Sequence, residues 1–196
     1  MLETVEESDL FEQEGRYFKK GHDDPFTGNA KMYFSDGVLS SEGGYKNGLR
    51  HGEWVEYWKN TKVRSTGFYA GGEFHGKWVW FEENGKLIKR QNYKKGQRDG
   101  MWEQFYDNGN VKSAGYYQNG ERNGLWKWYY KNNNLQRQQN YKDGAVEGTW
   151  EWYSKTGELE KREIWKNQKQ EGVWEWYSKT GKIKKIETYK DGIRTN

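Results

Sequence analysis

Cysteine is absent, so disulfide frameworks, cysteine-ligated zinc and thiol chemistry are excluded. Proline occurs once, and the 25 glycines must therefore supply the turning of the chain. Long apolar runs are missing too, and nothing approaches the length of a membrane-spanning helix. The opening MLETVEESDLFEQEG has neither the basic start nor the apolar stretch of a secretory signal, so a cytoplasmic protein is expected. Aliphatic residues are scarce: 21 Ile, Leu and Val stand against 35 aromatic rings, of which 12 are Trp, 15 Tyr and 8 Phe. Mean hydropathy is low at -1.35, yet disordered chains are poor in aromatics, so a folded protein with a largely aromatic interior is expected.

Charge is unevenly placed. Glu3, Glu6, Glu7, Asp9, Glu12 and Glu14 give the first 14 residues -6, so against a formal total of +4 the remainder carries +10. A basic body can favour anionic partners. Its acids and bases alternate, however, with no dense Lys/Arg cluster, which disfavours nucleic acid and reads as a solvated surface.

Self-similarity organises everything after residue 27. Glycine recurs at 28, 52, 76, 100, 124, 148 and 172, always 24 residues apart. Counting each copy from that glycine, position 3 is Trp54, Trp78, Trp102, Trp126, Trp150 and Trp174, with Ala30 in the first copy. Position 6 is always aromatic and position 12 always aliphatic; position 18 is Tyr in six copies and Trp165 in the other. Turn signals such as SDG, ENG, DNG and KNG punctuate most copies, so that turns come about every 12 residues and leave segments that suit strands and are short for helices. The fold class is therefore all-β: seven tandem 24-residue hairpins over 28–196, joined as an elongated antiparallel meander of about 14 strands. Residues 1–27 form an acidic leader and a degenerate N-terminal capping repeat, with the leader either a short helix or a disordered tail. The last strand, ending YKDGIRTN, has little to cover it, so a homodimer through that sheet edge is a further expectation.

The unit Tyr-Lys-Asn/Asp-Gly-x-x-x-Gly-x-Trp-x-x-Tyr, at 45–57 and 141–153, resembles the variant MORN repeat of bacterial proteins, and Pro-Phe-Thr-Gly at 25–28 is similar to the way those proteins often begin. The resemblance covers about residues 17–196. It implies a protein-binding array, and for the YwqK-type antitoxins of this kind it implies binding and neutralising a cognate toxin. Other MORN-containing proteins are associated with membranes or scaffolding, so engagement of lipid, envelope or polysaccharide is the alternative.

Little in the sequence suggests catalysis, a cofactor or a metal. His51 and His75 occupy one polar repeat position, two strands apart, too far to share a metal. Glu151 and Glu175, each between two tryptophans in sequence, read as solvent-facing strand residues about 10 Å apart. Position 5 is more informative because it varies within a fixed frame: Met32, Glu56, Trp80, Gln104, Trp128, Trp152, Trp176. A position that accepts Glu and Gln is at least partly exposed. Trp80, Trp128, Trp152 and Trp176 are thus the candidate partner-binding residues, with stacking on sugar or plain strand packing as competing roles.

Overall fold

The structure, a computed structural model, describes residues 2–196. The chain divides into two compact units, Met1–Gln97 and Arg98–Asn196, and strand dominates both. Among the described residues no helix is long and apolar enough to cross a membrane.

In the first unit β1 (Thr4–Glu6) leads through a single 3-10 turn at Glu7–Asp9 to a small hairpin of β2 (Leu10–Gln13) and β3 (Arg16–Lys19). The repeat strands follow: β4 (Gly28–Tyr33), β5 (Leu39–Lys46), β6 (Leu49–Tyr57), β7 (Val63–Ala70), β8 (Glu73–Phe81) and β9 (Leu87–Lys94), each antiparallel to the next. The acidic leader is neither a short helix nor a disordered tail but two short strands joined by the 3-10 turn. β1 runs parallel to β4, with Val5 opposite Ala30, and satisfies backbone groups that the edge of β4 would otherwise expose. Val5 and Leu10 are its two buried anchors, joining Phe26, Ala30 and Met32 in the core. Alternating Val5 and the turn that follows suit this better than a helix, because the leader's apolar residues form no helical stripe.

The second unit holds β10 (Gln97–Phe105) from Arg98 onward, β11 (Val111–Gln118), β12 (Glu121–Tyr129), β13 (Leu135–Lys142), β14 (Ala145–Tyr153), β15 (Leu159–Lys166), β16 (Lys169–Gln170), β17 (Gly172–Tyr177), β18 (Ile183–Lys190) and β19 (Ile193–Arg194), again an antiparallel meander. β19 folds back on β18, pairing Arg194 with Tyr189, so one end of that last edge is covered. The tandem hairpins anticipated from the repeat are present throughout both units.

Turn chemistry explains the hairpins. Asn47 and Gly48 have φ of 51° and 75°, the double left-handed geometry of a type I′ turn, and Asn119–Gly120 and Asp143–Gly144 repeat it. The opening glycines from the second copy onward have a different role. Across β5 and β6 the ladder steps from Gly43 opposite Trp54 to Gly44 opposite His51, leaving Gly52 and Glu53 as extra residues. Gly52 takes φ 81°, which a β-carbon disfavours, and the resulting bulge sets Trp54 on its face.

That face carries positions 3, 5, 14, 16 and 18. Trp54, Trp78 and Trp126 each lie across a glycine of the preceding strand: a β-carbon on Gly43, Gly67 or Gly115 would overlap the indole. Each indole Nε1 then donates to the next carbonyl, of Gly44 (2.9 Å), Phe68 (2.9 Å) or Tyr116 (3.1 Å). Position-18 tyrosines meet these rings edge-on, as with Tyr69 and Trp78 (5.1 Å, 85°) or Tyr117 and Trp126 (5.0 Å, 85°). Trp126 is thereby fully buried. A Trp hiding 150–250 Å² contributes roughly 4–6 kcal/mol of gross hydrophobic stabilisation, which is how the chain manages with few aliphatic residues.

Candidate functional site

Position 5 shares a face with position 3, and each Trp pair is in ring contact: Trp78 with Trp80 (5.8 Å), Trp126 with Trp128 (5.9 Å), Trp150 with Trp152 (4.9 Å) and Trp174 with Trp176 (6.3 Å). The four candidate residues Trp80, Trp128, Trp152 and Trp176 are all half-buried. Trp80 belongs to the first unit. The other three fall in one row of the second, running across the strands from Trp128 through Arg137, Trp152, Lys161 and Trp176 to Lys185.

Aromatic and cation alternate along that row, and the pairs are in contact. Arg137 Cζ sits 4.3 Å from the Trp128 ring centroid, and Lys161 Nζ lies 5.2 Å from Trp152 and 5.0 Å from Trp176. Lys185 Nζ lies 4.6 Å from Trp176, and in the first unit Lys89 Nζ lies 4.2 Å from Trp80. Each cation is drawn to the negative π face of its ring. A second tier comes from position 23, where Arg122 covers Trp126 at 4.5 Å and donates to Tyr141 Oη (3.2 Å), while Arg50 covers Trp54 at 4.4 Å and donates to Tyr69 Oη (3.2 Å).

This pairing is written in the repeat as a three-position correlation that the tryptophan frame hides. Where position 5 is Trp, position 14 is Lys89, Arg137, Lys161 or Lys185 and position 16 is Gln91, Gln139, Glu163 or Glu187. Where position 5 is Met32, Glu56 or Gln104, position 14 is Ser41, Ser65 or Ser113 and position 16 is Gly43, Gly67 or Gly115. Position 5 lies directly across from position 14 of its own copy, which is why they change together.

Position 16 introduces buried polar groups. Gln139 is 2% exposed, and its Oε1 accepts from Tyr141 Oη (2.7 Å). Glu163 accepts from Trp165 Nε1 (2.9 Å) and pairs with the Lys161 ammonium. Glu187 pairs with Lys185 and Arg194, both at 2.9 Å, and accepts from Tyr189 Oη (2.8 Å). The Lys185 bond, then the Tyr189 bond, hold its carboxyl below the usual carboxylate range.

The opposite face corrects one reading. Glu151 and Glu175 are not plain solvent-facing residues: Arg162 bridges them, with Nε 2.9 Å from Glu151 and Nη1 3.6 Å from Glu175. Tyr153 Oη (2.7 Å) and Gln138 Nε2 (2.6 Å) also donate to Glu151, and Tyr177 Oη (2.6 Å) to Glu175. A long arginine spans neighbouring strands, so equivalent carboxylates need not be adjacent to share a partner. Burial raises the Glu151 pKa, but donation from Tyr153, Gln138 and Arg162 outweighs it and the net shift is downward. Burial, then the Glu151 carboxylate, pushes the Tyr153 phenol up to about 12.

The same face holds an exposed apolar group that the sequence reading missed: Met101 (58%), Tyr116 (49%) and Leu125 (43%), with Met101 directly across from Tyr116. Its signal was the apolar residue at position 2 in Met101, Leu125 and Val173. His51 and His75 lie on separate strands of the first unit, opposite Gly44 and Phe68. Among the described residues no three His, Asp or Glu side chains are grouped to hold a metal ion.

The MORN repeat variant family matches the chain over residues 26–47, 74–95, 98–119, 122–143, 146–167 and 170–191, so the matched segments fall in both units. No curated protein matches it.

Proposed function

The chain belongs to the MORN repeat variant family, and we propose that it is a non-catalytic protein-binding repeat whose contact surface is the tryptophan face of the second unit. MORN repeats are generally protein- or membrane-binding repeats and are not typically catalytic. The observation that carries the reading is the row Trp128, Arg137, Trp152, Lys161, Trp176, Lys185. Half-buried tryptophans held rigidly by strand pairing and by cations are the kind of aromatic and arginine anchors that dominate protein interfaces. Ordering them beforehand lowers the entropy lost on association.

The finer reading is a cytoplasmic immunity or antitoxin-type protein that occludes a cognate toxin; the resemblance of the repeat to that of YwqK-type antitoxins supports it. The second reading is a scaffold on an anionic surface such as membrane lipid, favoured by the cations interleaved with the rings.

The test is recovery of partners by the intact chain and by a folded variant with Trp128, Trp152 and Trp176 all changed to Ala. A protein retained by the first and lost by the second supports the proposal. Equal recovery by both would sink it, and sedimentation of the intact chain alone with anionic vesicles would move the reading to the membrane surface.

A further inference from the structure

Three buried hydrogen-bond donors without an acceptor fall together on the tryptophan face of the second unit: Arg137 Nε, Gln139 Nε2 and Trp150 Nε1. Their placement follows from the register. Arg137 is directly across from Trp152, and Gln139 from Trp150, so the three side chains occupy adjacent sites on one face of β13 and β14.

The Trp150 indole departs from four of its counterparts. The indoles of Trp54, Trp78, Trp126 and Trp174 all donate to a carbonyl of a strand paired with their own, whereas that of Trp150, set edge-on to Trp152 (4.9 Å) and Trp165 (5.5 Å), has no acceptor. The Gln139 oxygen is taken by Tyr141, which leaves its NH2 group. Arg137 makes the cation–π contact with Trp128 and, among the described residues, has no carboxylate partner. A buried donor left unsatisfied costs about 1–3 kcal/mol, more when the group is charged, so three together favour an incoming acceptor.

The following copies identify the acceptor. There the chain supplies a carboxylate at position 16: Glu163 takes the Lys161 ammonium and the Trp165 indole N–H, and Glu187 takes Lys185, Arg194 and Tyr189. In the copy with Arg137, position 16 is the neutral Gln139, and the cation keeps its position without its anion.

We propose that Arg137, Gln139 and Trp150 form a carboxylate-binding site that receives an aspartate or glutamate side chain of a protein partner. This rests on the reading of the tryptophan face as a binding face, and it specifies the partner's chemistry. The Arg137 residue is half-buried, not fully enclosed, so a swing of the side chain away from Trp128 opens the site, and the guanidinium then closes over the carboxylate with charge-assisted hydrogen bonds. A partner side chain is favoured over a free small acid because Trp128 and Trp152 flank Arg137 across both strand ladders and offer apolar contact on either side.

The experiment is an NMR titration of the full ¹⁵N-labelled chain, with the Trp150 indole signal assigned through Trp150→Phe. The probes are a blocked glycine-rich peptide containing glutamate, the same peptide with glutamine, acetate, and inorganic phosphate, all at constant ionic strength. Expected are a saturable shift of the Trp150 indole N–H and the Gln139 side-chain amide with the glutamate peptide, and weaker saturation with acetate. The glutamine peptide should shift neither signal. Arg137→Gln should weaken the glutamate peptide by about tenfold or more, and Arg137→Lys, which keeps the charge and the fold but lacks Nε, by less.

Equal response to the glutamine peptide or to phosphate would overturn the carboxylate assignment. Acetate binding as tightly as the peptide would overturn the partner assignment, and a silent Trp150 indole would overturn the site. The last result would leave standing any partner recovery that depends on Trp128, Trp152 and Trp176, whereas loss of that dependence would fail the binding face itself.

Discussion

The Arg137 guanidinium lies 4.3 Å from the Trp128 ring centroid, directly across the ladder between β12 and β13. Charge and ring hold each other in place, so the residue proposed to reach a partner is also the one that orders its neighbour. A double-mutant cycle with Trp128→Leu and Arg137→Met, followed by urea unfolding, should give a coupling of about 0.5–2 kcal/mol. A coupling within error of zero would mean that proximity here carries no energy.

Gly115 has ordinary backbone geometry, so its requirement for glycine is one of space: the Trp126 indole fills the volume of a side chain. Gly115→Ala should destabilise the second unit by roughly 1–3 kcal/mol through overpacking, and should alter the near-ultraviolet circular dichroism of the tryptophans. Unchanged stability and spectrum would contradict this packing.

Gln168 occupies a left-handed turn position, φ 63°, where every other copy has glycine. A side chain there costs about 1–2 kcal/mol. Gln168→Gly should recover roughly 1 kcal/mol and raise Tm by about 2–4 °C in a chain of this size. A lower Tm would mean that the glutamine side chain stabilises the turn in some other way.

Glu151 titrates below the ordinary carboxylate value because of its donors Tyr153, Gln138 and Arg162. A folded pKa beneath the unfolded one gives stability that is present above about pH 4.3 and is lost as pH falls through the folded value. Glu151→Gln should therefore cost about 0.5–1 kcal/mol at neutral pH, discounted for partial exposure, and nothing at the acid end. Urea unfolding of both proteins between pH 2 and 7 checks this, and a gap independent of pH would refute it.

The hairpins were legible in the sequence because each level agreed: Asn-Gly and Asp-Gly supplied the left-handed turns and the 24-residue period fixed the register. The bulge at an opening glycine such as Gly52 was not legible, since Gly52 reads equally well as a turn and its role depends on pairing with two strands at once. At the site, position 5 was visible because it varied inside a constant frame, as with Glu56 against Trp152. What went unseen was a relation between positions: Trp128 with Arg137, or Trp176 with Lys185, are nine residues apart and meet only once the hairpin is folded. The Arg162 bridge between Glu151 and Glu175 was hidden for the same reason, being set by side-chain reach and not by strand spacing.

The most direct test of the binding face is oxidative footprinting of the chain with and without a partner recovered through it, read residue by residue by mass spectrometry. Tryptophan, methionine and tyrosine all report by this chemistry, so both faces of the second unit are probed at once. The tryptophan face predicts that the partner protects Trp128, Trp152 and Trp176 while Met101 and Tyr116 keep their reactivity. Protection of Met101 and Tyr116 with the three tryptophans unchanged would place the partner on the opposite face and contradict the account.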